Sequence, residues 1–445
     1  MRTPAPRDQI LNIDRTLAWK RERSRMLDAK FIRDNEEMVR KALVSRSYDL
    51  SVLDKFLELD HRWRSLTEEG NALRKKRNEV AEEIPKLSKD KKDAKIADMR
   101  AIADRIKIID ASLKSIEKDR DDLLLNIPNI PDPSVPVGEL DVGDVFLRTW
   151  GQKREFDFKP LTHWEIGENL DIIDFDRGVK VTGTGFYVLK GFGARLERAL
   201  INYMLDLHNE QGYREVFPPA IINRKSCVGT GQLPKLQDDM YWVERDDLWL
   251  NPTAEVPVTN LYADEILSKK DLPIYHTAYL PSFRREAGKH IETKGIARVH
   301  QFNKVELVKF VLPETSPAEL ETLLADAEAV VQGLKIPYRI RHLCTGSIGF
   351  HSSKTYDIEA FSPGMDQWLE VSSCSDFKDF QARRAMIKFR REPHLKSEFV
   401  HTLNGSGIAL PRTMVAVLEN YQNKDGTVTV PEVLRPYMKG AELIQ

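Results

Sequence analysis

Several features that commonly identify a protein class are missing from this sequence. No apolar run approaches the ~20 residues that a membrane-spanning helix needs, so the sequence indicates no membrane partner. The three cysteines, Cys227, Cys344 and Cys374, lie far apart without CxxC or histidine spacing. This argues against a disulfide framework or a zinc site and favours a reducing cytoplasm. Neither the P-loop pattern GxxxxGK[ST] nor GxGxxG is present. The net charge of −1 leaves any binding of nucleic acid to a local patch.

The composition suits a soluble globular protein of two domains. A chain of 445 residues is too long for one hydrophobic core, and 31% of its residues are charged and 41% hydrophobic. Residues 1–25 form a basic extension with seven Lys/Arg, three Asp/Glu and no apolar core of signal-peptide length. This extension is a transit peptide or an inert leader, or else Met26 is the true start. We expect a helical domain over 26–135 and a second domain over 136–445.

The first domain is predicted to be an antiparallel helical hairpin. Apolar residues at 3-4 spacing predict a long helix over 51–84, with breaks at Gly70 and Arg77. The polar stretch 85–95 is a turn by composition, and a second helix carries the same spacing from Met99 to Leu123, with Arg120 in one slot. Four prolines between 128 and 136 end it. Helices of about 30 residues give an arm of roughly 45 Å.

The distal half of this arm is positively charged. Between Asn71 and Lys95 there are nine Lys/Arg against five Asp/Glu. Such a surface can meet an RNA backbone without reading bases. The alternative is a coiled coil that only spaces or dimerises the protein, and the charge pattern alone leaves both open.

The second domain alternates short strand-like and helical segments. We expect a helix over 194–212 and another in MVAVLENYQ, entered from the glycine-rich NGSGIALPR. Strand-like runs are YREVFPPAII, LWLNPTAEVPV, YHTAYLPSFR, ARVHQFNKVELVKFVL, KTYDIEAF and QWLEVSSCSDF. Strands adjacent in sequence with short links predict a mainly antiparallel sheet flanked by helices, hence an α+β fold.

Three segments of this domain place arginine or carboxylate at the ends of predicted elements. They are the run 283–286 (FRRE), the run 370–373 (EVSS), and the run 405–407 (GSG) with Arg412. Arginine binds phosphate through fixed, charge-assisted hydrogen bonds, and carboxylate supplies the oxygen that Mg²⁺ prefers. If these groups converge on one sheet, they could together bind ATP and magnesium.

From Met26 to the C-terminus the chain resembles the seryl-tRNA synthetases, which are class II aminoacyl-tRNA synthetases. The matching segments are GTGQLPK at 229–235, PTAEVPVTN at 252–260, FRREAG at 283–288, RVHQFNKVELV at 298–308, LCTGSIGF at 343–350, KTYDIE at 354–359, EVSSCSDFKDFQARRA at 370–385, LNGSGIALPRTMVAVLENYQ at 403–422 and VPEVLRPYM at 430–438. Their order behind a helical hairpin makes the resemblance specific. It implies a class II catalytic domain after a tRNA-binding arm.

The resemblance implies an ATP site that also holds Mg²⁺. The residues implied at the nucleotide are Arg284, Arg285, Glu286, Val299, Phe302, Glu370, Val371, Ser372, Ser373 and Arg412. Arg284 matches the arginine on the α-phosphate and Arg412 the arginine near the γ-phosphate; with Glu286 they form the implied catalytic set. Phe302 matches the residue that stacks on adenine. Glu370 and Ser373 match the metal-binding pair.

The same resemblance implies a serine site and two macromolecular partners. Thr253, Ala254 and Glu255 look like the serine-binding triplet, Glu306 like the acid that meets the ammonium, and Ser406 like another serine contact. The implied reaction activates L-serine with ATP to seryl-adenylate and then charges tRNA(Ser), with tRNA(Sec) open as a second substrate. The family is implied to be homodimeric, with Gly212 and Pro219 of the segment GYREVFPP matching the class II signature that builds the dimer interface.

Some residues depart from the family pattern. Gly185 stands where an arginine is expected, Ser347 replaces a usual aspartate, and Pro411 precedes Arg412 where glycine is usual. The loop KHIETKG after Gly288 looks one residue short, and its Lys294 replaces a common arginine. Since no implied catalytic group is lost, we expect activity to survive.

Residue type alone supports plainer readings. Without the motifs, Glu255 and Glu306 would be half-exposed strand residues, His300 a hydrogen-bonded structural histidine and Lys304 a residue lining its strand. Two other functions also compete with an active synthetase: an RNA-binding relative that has lost catalysis, and a relative that charges a carrier protein. The intact arginine and glutamate set argues against the first, and the full-length arm argues against the second.

Overall fold

A computed structural model of the protein describes residues 29–86, 88–287 and 295–445. The chain divides into two compact units, Met1–Pro128 and Asn129–Gln445. The expectations for the basic extension 1–25, for Met26 and for the loop after Gly288 with its Lys294 lie outside the described residues. Every described helix is too short or too polar to cross a membrane.

The described part of unit 1 is helical. The helices described there are α1 (Ala29–Asp34), α2 (Glu36–Ser45), α3 (Ser51–Glu83) and α4 (Lys89–Leu124). Helices α3 and α4 pack against each other, as the 3-4 spacing predicts. The turn predicted over 85–95 is too long, because α4 already begins at Lys89, with Ser88 in the extended conformation of an N-cap. Lysine and alanine favour helix, so polarity alone misled the prediction.

A buried ion cluster fills one slot of the helical seam. The carboxylate of Asp60, 1% exposed, contacts Arg33 at 2.9 Å, Arg64 at 3.2 Å and Arg120 at 3.3 Å. The guanidinium of Arg120 also lies 4.5 Å from the ring centroid of Trp63. Arg120 therefore occupies the seam through a charge partner rather than breaking it.

Unit 2 combines helices with several sheets. Its described α-helices are α5 (His163–Asn169), α6 (Phe175–Val181), α7 (Gly191–Glu210), α8 (Arg224–Gly229), α9 (Glu255–Thr259), α10 (Ser316–Gly333), α11 (Phe380–Ala385) and α12 (Leu410–Asn420). Its described strands are β1 (Val145–Trp150), β2 (Ile173–Asp174), β3 (Val188–Leu189), β4 (Arg214–Glu215), β5 (Ile221–Asn223), β6 (Trp242–Val243), β7 (Leu248–Leu250), β8 (Ile266–Ser268), β9 (Ile274–Phe283), β10 (Gln301–Val311), β11 (Tyr338–His342), β12 (Lys354–Ser362), β13 (Gln367–Lys378), β14 (Lys388–Arg390), β15 (Glu398–Phe399), β16 (His401–Ala409), β17 (Val428–Thr429) and β18 (Leu443–Ile444).

The main sheet has the strand order β1-β11-β12-β13-β16-β10-β9-β4. Its pairs are antiparallel except β4 with β9, which are parallel. Helices α7, α10 and α12 pack on the sheet around a hydrophobic core that includes Leu196, Leu323, Leu403 and Val415. The α+β prediction, a helical hairpin followed by a mainly antiparallel sheet with flanking helices, is confirmed.

Three of the predicted segments have a different local structure. YREVFPPAII is split into β4 and β5, which belong to different sheets, because the two prolines between them cannot donate to a ladder. LWLNPTAEVPV forms β7 and then the helix α9, so the triplet 253–255 lies at a helix start rather than in a strand. The glycine-rich NGSGIA belongs to β16, where Gly405 lies close to Leu323 and Cys374.

Candidate active site

One face of the main sheet lines a cavity of about 500 Å³ in unit 2. The lining residues alternate along each strand, as expected for side chains on one face of a sheet. They include Phe302 and Lys304 of β10, Thr355 and Asp357 of β12, Ser373, Ser375 and Phe377 of β13, and Asn404 and Ser406 of β16. Arg284 and Glu286 reach the cavity from the end of β9, and Arg412 from the first turn of α12. The volume suits a ligand of nucleotide size.

A β-bulge at Val371 brings Glu370 and Ser373 to the same face. Residues three apart on a regular strand point to opposite faces. Here Ser372 pairs with Ile358, whereas Glu370 pairs with Glu359, so Val371 is the extra residue on β13. The bulge inverts the alternation, and both Glu370 and Ser373 line the cavity.

The group around this bulge fits a divalent cation. Asp357 lies opposite Ser373 in the sheet, and Ser373 donates a hydrogen bond to its carboxylate. The Oδ1 atom of Asp357 is buried without a hydrogen-bond partner among the described residues. Burial, and then the neighbouring charge of Glu370, raise the pKa of Asp357 well above its ordinary value. A hard cation held by oxygen ligands would relieve this repulsion, so the residues fit the Mg²⁺ that the resemblance implies.

The two arginines are held by backbone carbonyls. Nε of Arg284 donates to the Pro252 carbonyl at 3.2 Å, and its guanidinium lies 5.2 Å from the centroid of Phe302. Nε of Arg412 donates to the Ala297 carbonyl at 3.1 Å, and Nη1 donates to the Glu370 carbonyl at 2.7 Å. Both guanidinium groups are therefore oriented before a ligand arrives, which reduces the entropy lost on binding.

Glu286 has a strained backbone. Its φ of +50° lies in the left-handed region that glycine usually occupies. Arg298 donates from Nη1 to Oε2 of Glu286 at 3.1 Å, and both residues line the cavity. A strained residue on a cavity wall supports a functional role for Glu286.

Glu255 is a buried carboxylate in the cavity lining. It is 4% exposed, and Gln381 donates an amide hydrogen to its Oε1 at 2.6 Å. Burial first, and then the charge of Glu306, raise the pKa of Glu255 to about 7. The Gln381 amide opposes this rise and is itself fixed, because Thr402 donates to its carbonyl oxygen at 2.8 Å.

Glu306 lies behind the cavity wall rather than on it. Its carboxylate accepts hydrogen bonds from Thr253 at 2.5 Å and from Asn404 at 2.8 Å, and it pairs with Lys304 at 2.6 Å. Thr253, Lys304 and Asn404 line the cavity. Glu306 thus orients the side chains of Thr253 and Asn404 in the cavity lining, and Lys304 is its counterion.

Other predicted site residues lie apart from the cavity. The cavity lining, within the described ranges, does not include Arg285, Ala254, Val371 or Ser372. Ala254 packs in a hydrophobic cluster, Val371 is in the core, and Ser372 donates to the Ser406 carbonyl at 2.6 Å. The backbone N–H of Arg285 donates to the Asp239 carbonyl at 2.8 Å. Val299 and Phe302 are lining residues.

Sequence reasoning missed Gln381, Asn404 and Asp357 as site residues. Each lies inside a segment already singled out, but residue type did not distinguish it from its neighbours. The parity of strand positions could have identified Asn404, two residues before Ser406. Asp357 and Gln381 required the strand pairing and the packing of α11.

The departures from the family pattern have local explanations. Gly185 has φ +83°, and a Cβ there would lie 2.5 Å from the His300 ring, so this backbone leaves no space for an arginine. His300 donates from Nδ1 to the Arg284 carbonyl at 3.0 Å, which makes it a hydrogen-bonded structural residue. Ser347 accepts from the backbone N–H of Asp141 at 3.2 Å. Pro411 lies in the first turn of α12. Backbone N–H groups in that turn have no acceptor within the helix, so the N–H that proline lacks costs no helical hydrogen bond.

The site can bind a polyanion beside a small polar molecule. Two arginines and an acidic group that fits a cation line the cavity, and Glu255, Thr253 and Ser406 of the same lining offer hydrogen-bond partners. An acyl phosphate anhydride could form between two ligands held in this way without a protein nucleophile.

Comparisons with known proteins agree with this geometry. Residues 26–131 match the family model described as Seryl-tRNA synthetase N-terminal domain, and residues 241–421 match tRNA synthetase class II core domain (G, H, P, S and T). The chain is 53% identical to a Serine--tRNA ligase of Listeria innocua, covering 94% of this chain and 99% of that protein. A crystal structure of seryl-tRNA synthetase from Pyrococcus horikoshii complexed with ATP is similar with a TM-score of 0.89 and 40% identity, over 94% of this chain and 99% of that one. Another similar structure is the cytoplasmic serine-tRNA ligase of Naegleria fowleri in complex with AMP, with a TM-score of 0.83 and 31% identity over 92% and 96% of the two chains.

Proposed function

We propose a division of labour among the cavity residues that starts from one established fact, that the chain belongs to the seryl-tRNA synthetases. It activates serine with ATP and transfers the seryl group to tRNA. The observation that supports the assignment of residues is the convergence of Arg284, Arg412, Glu370 and Glu255 on one cavity.

In the activation step, a carboxylate oxygen of serine attacks the α-phosphorus of ATP. A new oxygen–phosphorus bond forms, and the bond to pyrophosphate breaks. Arg284 neutralises the α-phosphate and Arg412 the departing phosphates, so that two anions can approach each other. Phe302 stacks on adenine, and Glu286 orients the nucleotide. Mg²⁺ bound by Glu370 and Ser373 would add charge neutralisation on the phosphates.

Serine is recognised by residues around the buried carboxylate of Glu255. Glu255 accepts the side-chain hydroxyl, with Gln381 holding its other oxygen, and Ser406 contributes a second contact. The ammonium group meets Thr253 and the wall organised by Glu306. A site built to pair a hydroxyl rejects alanine by ~10⁴-fold or more, because its buried polar groups would be left unpaired.

In the transfer step, a terminal ribose hydroxyl of tRNA attacks the carbonyl carbon of seryl-adenylate, and AMP leaves. We assign tRNA(Ser) binding to the helical domain over 26–135 and aminoacylation to 136–445. A homodimer through the segment with Gly212 and Pro219 is supported by the exposure of Phe217, 78%, and Ile221, 52%. The three cysteines are free, which supports action in the cytoplasm. Charging of tRNA(Sec) remains a separate proposal.

Serine-dependent exchange of pyrophosphate into ATP tests the assignment. Arg284→Ala and Arg412→Ala should each lower kcat/KM for ATP at least a hundredfold, whereas Arg100→Ala on the exposed surface of α4 should leave it unchanged. Wild-type-like exchange in either cavity variant would refute the proposed roles.

A further inference from the structure

A fully buried histidine lies outside the cavity lining but is connected by hydrogen bonds to the cavity residues assigned to ATP. His163 is the first residue of α5, and both it and Glu419 of α12 are 0% exposed. The backbone N–H of His163 donates to Oε1 of Glu419 at 2.9 Å, and ring Nδ1 lies 2.8 Å from the same oxygen. The other carboxylate oxygen accepts from Ser362 and from the backbone N–H groups of Gly364 and Met365.

The contacts of the ring determine its tautomer. Nε2 of His163 lies 3.1 Å from the backbone nitrogen of Ile296, which can only donate. Nε2 is therefore the acceptor, and Nδ1 carries the hydrogen that Glu419 accepts. Glu419 thereby fixes both the orientation of the ring and the position of its acceptor atom.

The residues that follow this contact form a wall of the cavity. The Ala297 carbonyl accepts from Nε of Arg412, and Arg298 pairs with Glu286. Three consecutive residues thus connect His163 to two groups assigned to ATP. Gly295 allows the close approach, because its φ is +105° and a Cβ there would lie 2.9 Å from Nε2 of His163.

The same helix carries both ends of this connection. Arg412 and Glu419 are seven residues apart on α12, which is about two turns, so they lie on one side of the helix. The segment 296–297 is tied to α12 twice, directly by Arg412 and through His163 by Glu419. This arrangement fixes the backbone carbonyl that orients the guanidinium of Arg412.

We propose that His163 is a positioning residue for ATP. Its neutral Nε2 atom, aligned by Glu419, holds the Ile296–Arg298 backbone so that the Ala297 carbonyl aims Arg412 at the triphosphate. This inference rests on the proposed role of Arg412.

Two variants separate positioning from structural support. In His163→Asn, the amide nitrogen can replace Nδ1 toward Glu419, but the acceptor for Ile296 is lost. In His163→Gln, the amide oxygen can replace Nε2 toward Ile296, but the donor to Glu419 is lost. We expect KM for ATP in pyrophosphate exchange to rise about tenfold in H163N and less than about threefold in H163Q, with KM for serine unchanged in both.

A histidine that serves only to support the buried carboxylate predicts the reverse order, since H163N keeps the side-chain donor to Glu419 and H163Q leaves Oε1 with the backbone N–H alone. Equal KM values for ATP in the two variants, or an equal rise in KM for serine, would overturn the proposal. Thermal unfolding of each variant monitors the fold. If H163N does not fold, Gly295→Ala displaces the same wall from the other side and should also raise KM for ATP selectively; an unchanged KM would count against the proposal.

A double-mutant cycle with Arg412→Gln separates this inference from the proposed function. We expect R412Q to raise KM for ATP and H163N to add little on top of it, because both act through one guanidinium. If R412Q has no effect, the role of Arg412 is wrong and the inference falls with it. If R412Q has its expected effect but the two changes multiply fully, only the connection through Ala297 is wrong.

Discussion

At the scale of single residues, a buried amide controls how Glu255 meets its ligand. Gln381 occupies Oε1 of the carboxylate and is itself held by Thr402, so its amide hydrogen points toward Glu255. The proposed contact with the serine hydroxyl is then confined to the other carboxylate oxygen. This contact also favours the charged form, which is the stronger acceptor.

Replacement of Gln381 by methionine should weaken serine binding selectively. The side chain keeps its approximate length but loses the donor, so we expect KM for serine to rise about tenfold while KM for ATP stays unchanged. Pyrophosphate exchange with each substrate varied in turn measures both constants. The exposed Gln367→Met is the matched control, and equal behaviour of the two variants would contradict the prediction.

The raised pKa of Glu255 should appear in the pH dependence of stability. Its pKa is about 7 in the folded protein against an ordinary value of 4.5, so the unfolded chain loses this proton first. Between pH 4.5 and about 7 the folded state binds more protons, and the free energy of unfolding must fall as pH rises. Below pH 4.5 the contribution of Glu255 to the free energy of unfolding does not change with pH, and above about pH 7 the decrease is complete.

Glu255→Gln removes this titration. The difference in unfolding free energy, wild type minus variant, should therefore decline across the same pH window. Urea unfolding of both proteins in steps of one pH unit measures it. A difference that rises with pH would reverse the sign of the predicted shift.

Residue type identified the charged site residues near element ends better than the polar residues inside the strands. Arg284, Arg412 and Glu370 are recognisable because charged groups at element ends beside a known motif have few structural uses. The contact of Glu306 with the ammonium of serine stays a prediction, and the sequence did not indicate that its carboxylate also contacts Thr253, Lys304 and Asn404. Such internal pairing depends on strand register and side-chain packing, which composition does not contain.

At the scale of secondary structure, regular periodicity was predictable and local irregularity was not. The 3-4 spacing predicted the long helices α3 and α4, and strand-like runs adjacent in sequence with short links predicted the sheet. The sequence did not indicate the bulge at Val371, although this bulge places Glu370 and Ser373 on the same face of the sheet. A bulge is set by pairing with another strand, so a sequence read one segment at a time cannot locate it.

The seam between α3 and α4 offers a stability test at this scale. Asp60→Ala removes the carboxylate that lies 3.3 Å from the buried guanidinium of Arg120 and leaves it, among the described residues, only the carboxylate of Asp121 at 3.5 Å. The free energy of unfolding of unit 1 should fall by about 1.5–3 kcal/mol. The control Glu79→Ala breaks an exposed pair with Lys75 at 3.9 Å and should change it by less than about 0.5 kcal/mol. Circular dichroism during urea unfolding reports helix loss; similar effects in both variants would contradict the role of the buried cluster.

At the scale of the whole molecule, the two units suggest two separable activities. The groups assigned to adenylate formation lie within unit 2, whereas exposed basic residues lie on α3 of unit 1, at Lys75, Lys76 and Arg77. Phosphate contacts by such residues add affinity without base reading.

Replacement of Lys75, Lys76 and Arg77 by alanine should impair the aminoacylation of tRNA but not the formation of seryl-adenylate. We expect KM for tRNA to rise about tenfold or more and its salt dependence to weaken, because fewer counterions are released on binding. Pyrophosphate exchange without tRNA should match the wild type. Loss of exchange, or unchanged tRNA charging, would argue against separate activities.

The pair between Lys304 and Glu306 has a consequence for the resting enzyme in a cell. Sodium, potassium and polyamines abound there, and an uncompensated buried carboxylate would attract them. The ammonium of Lys304 already neutralises Glu306 at 2.6 Å. The carboxylate of Glu306 is therefore already neutralised when an amino acid arrives, and no bound ion has to leave it first.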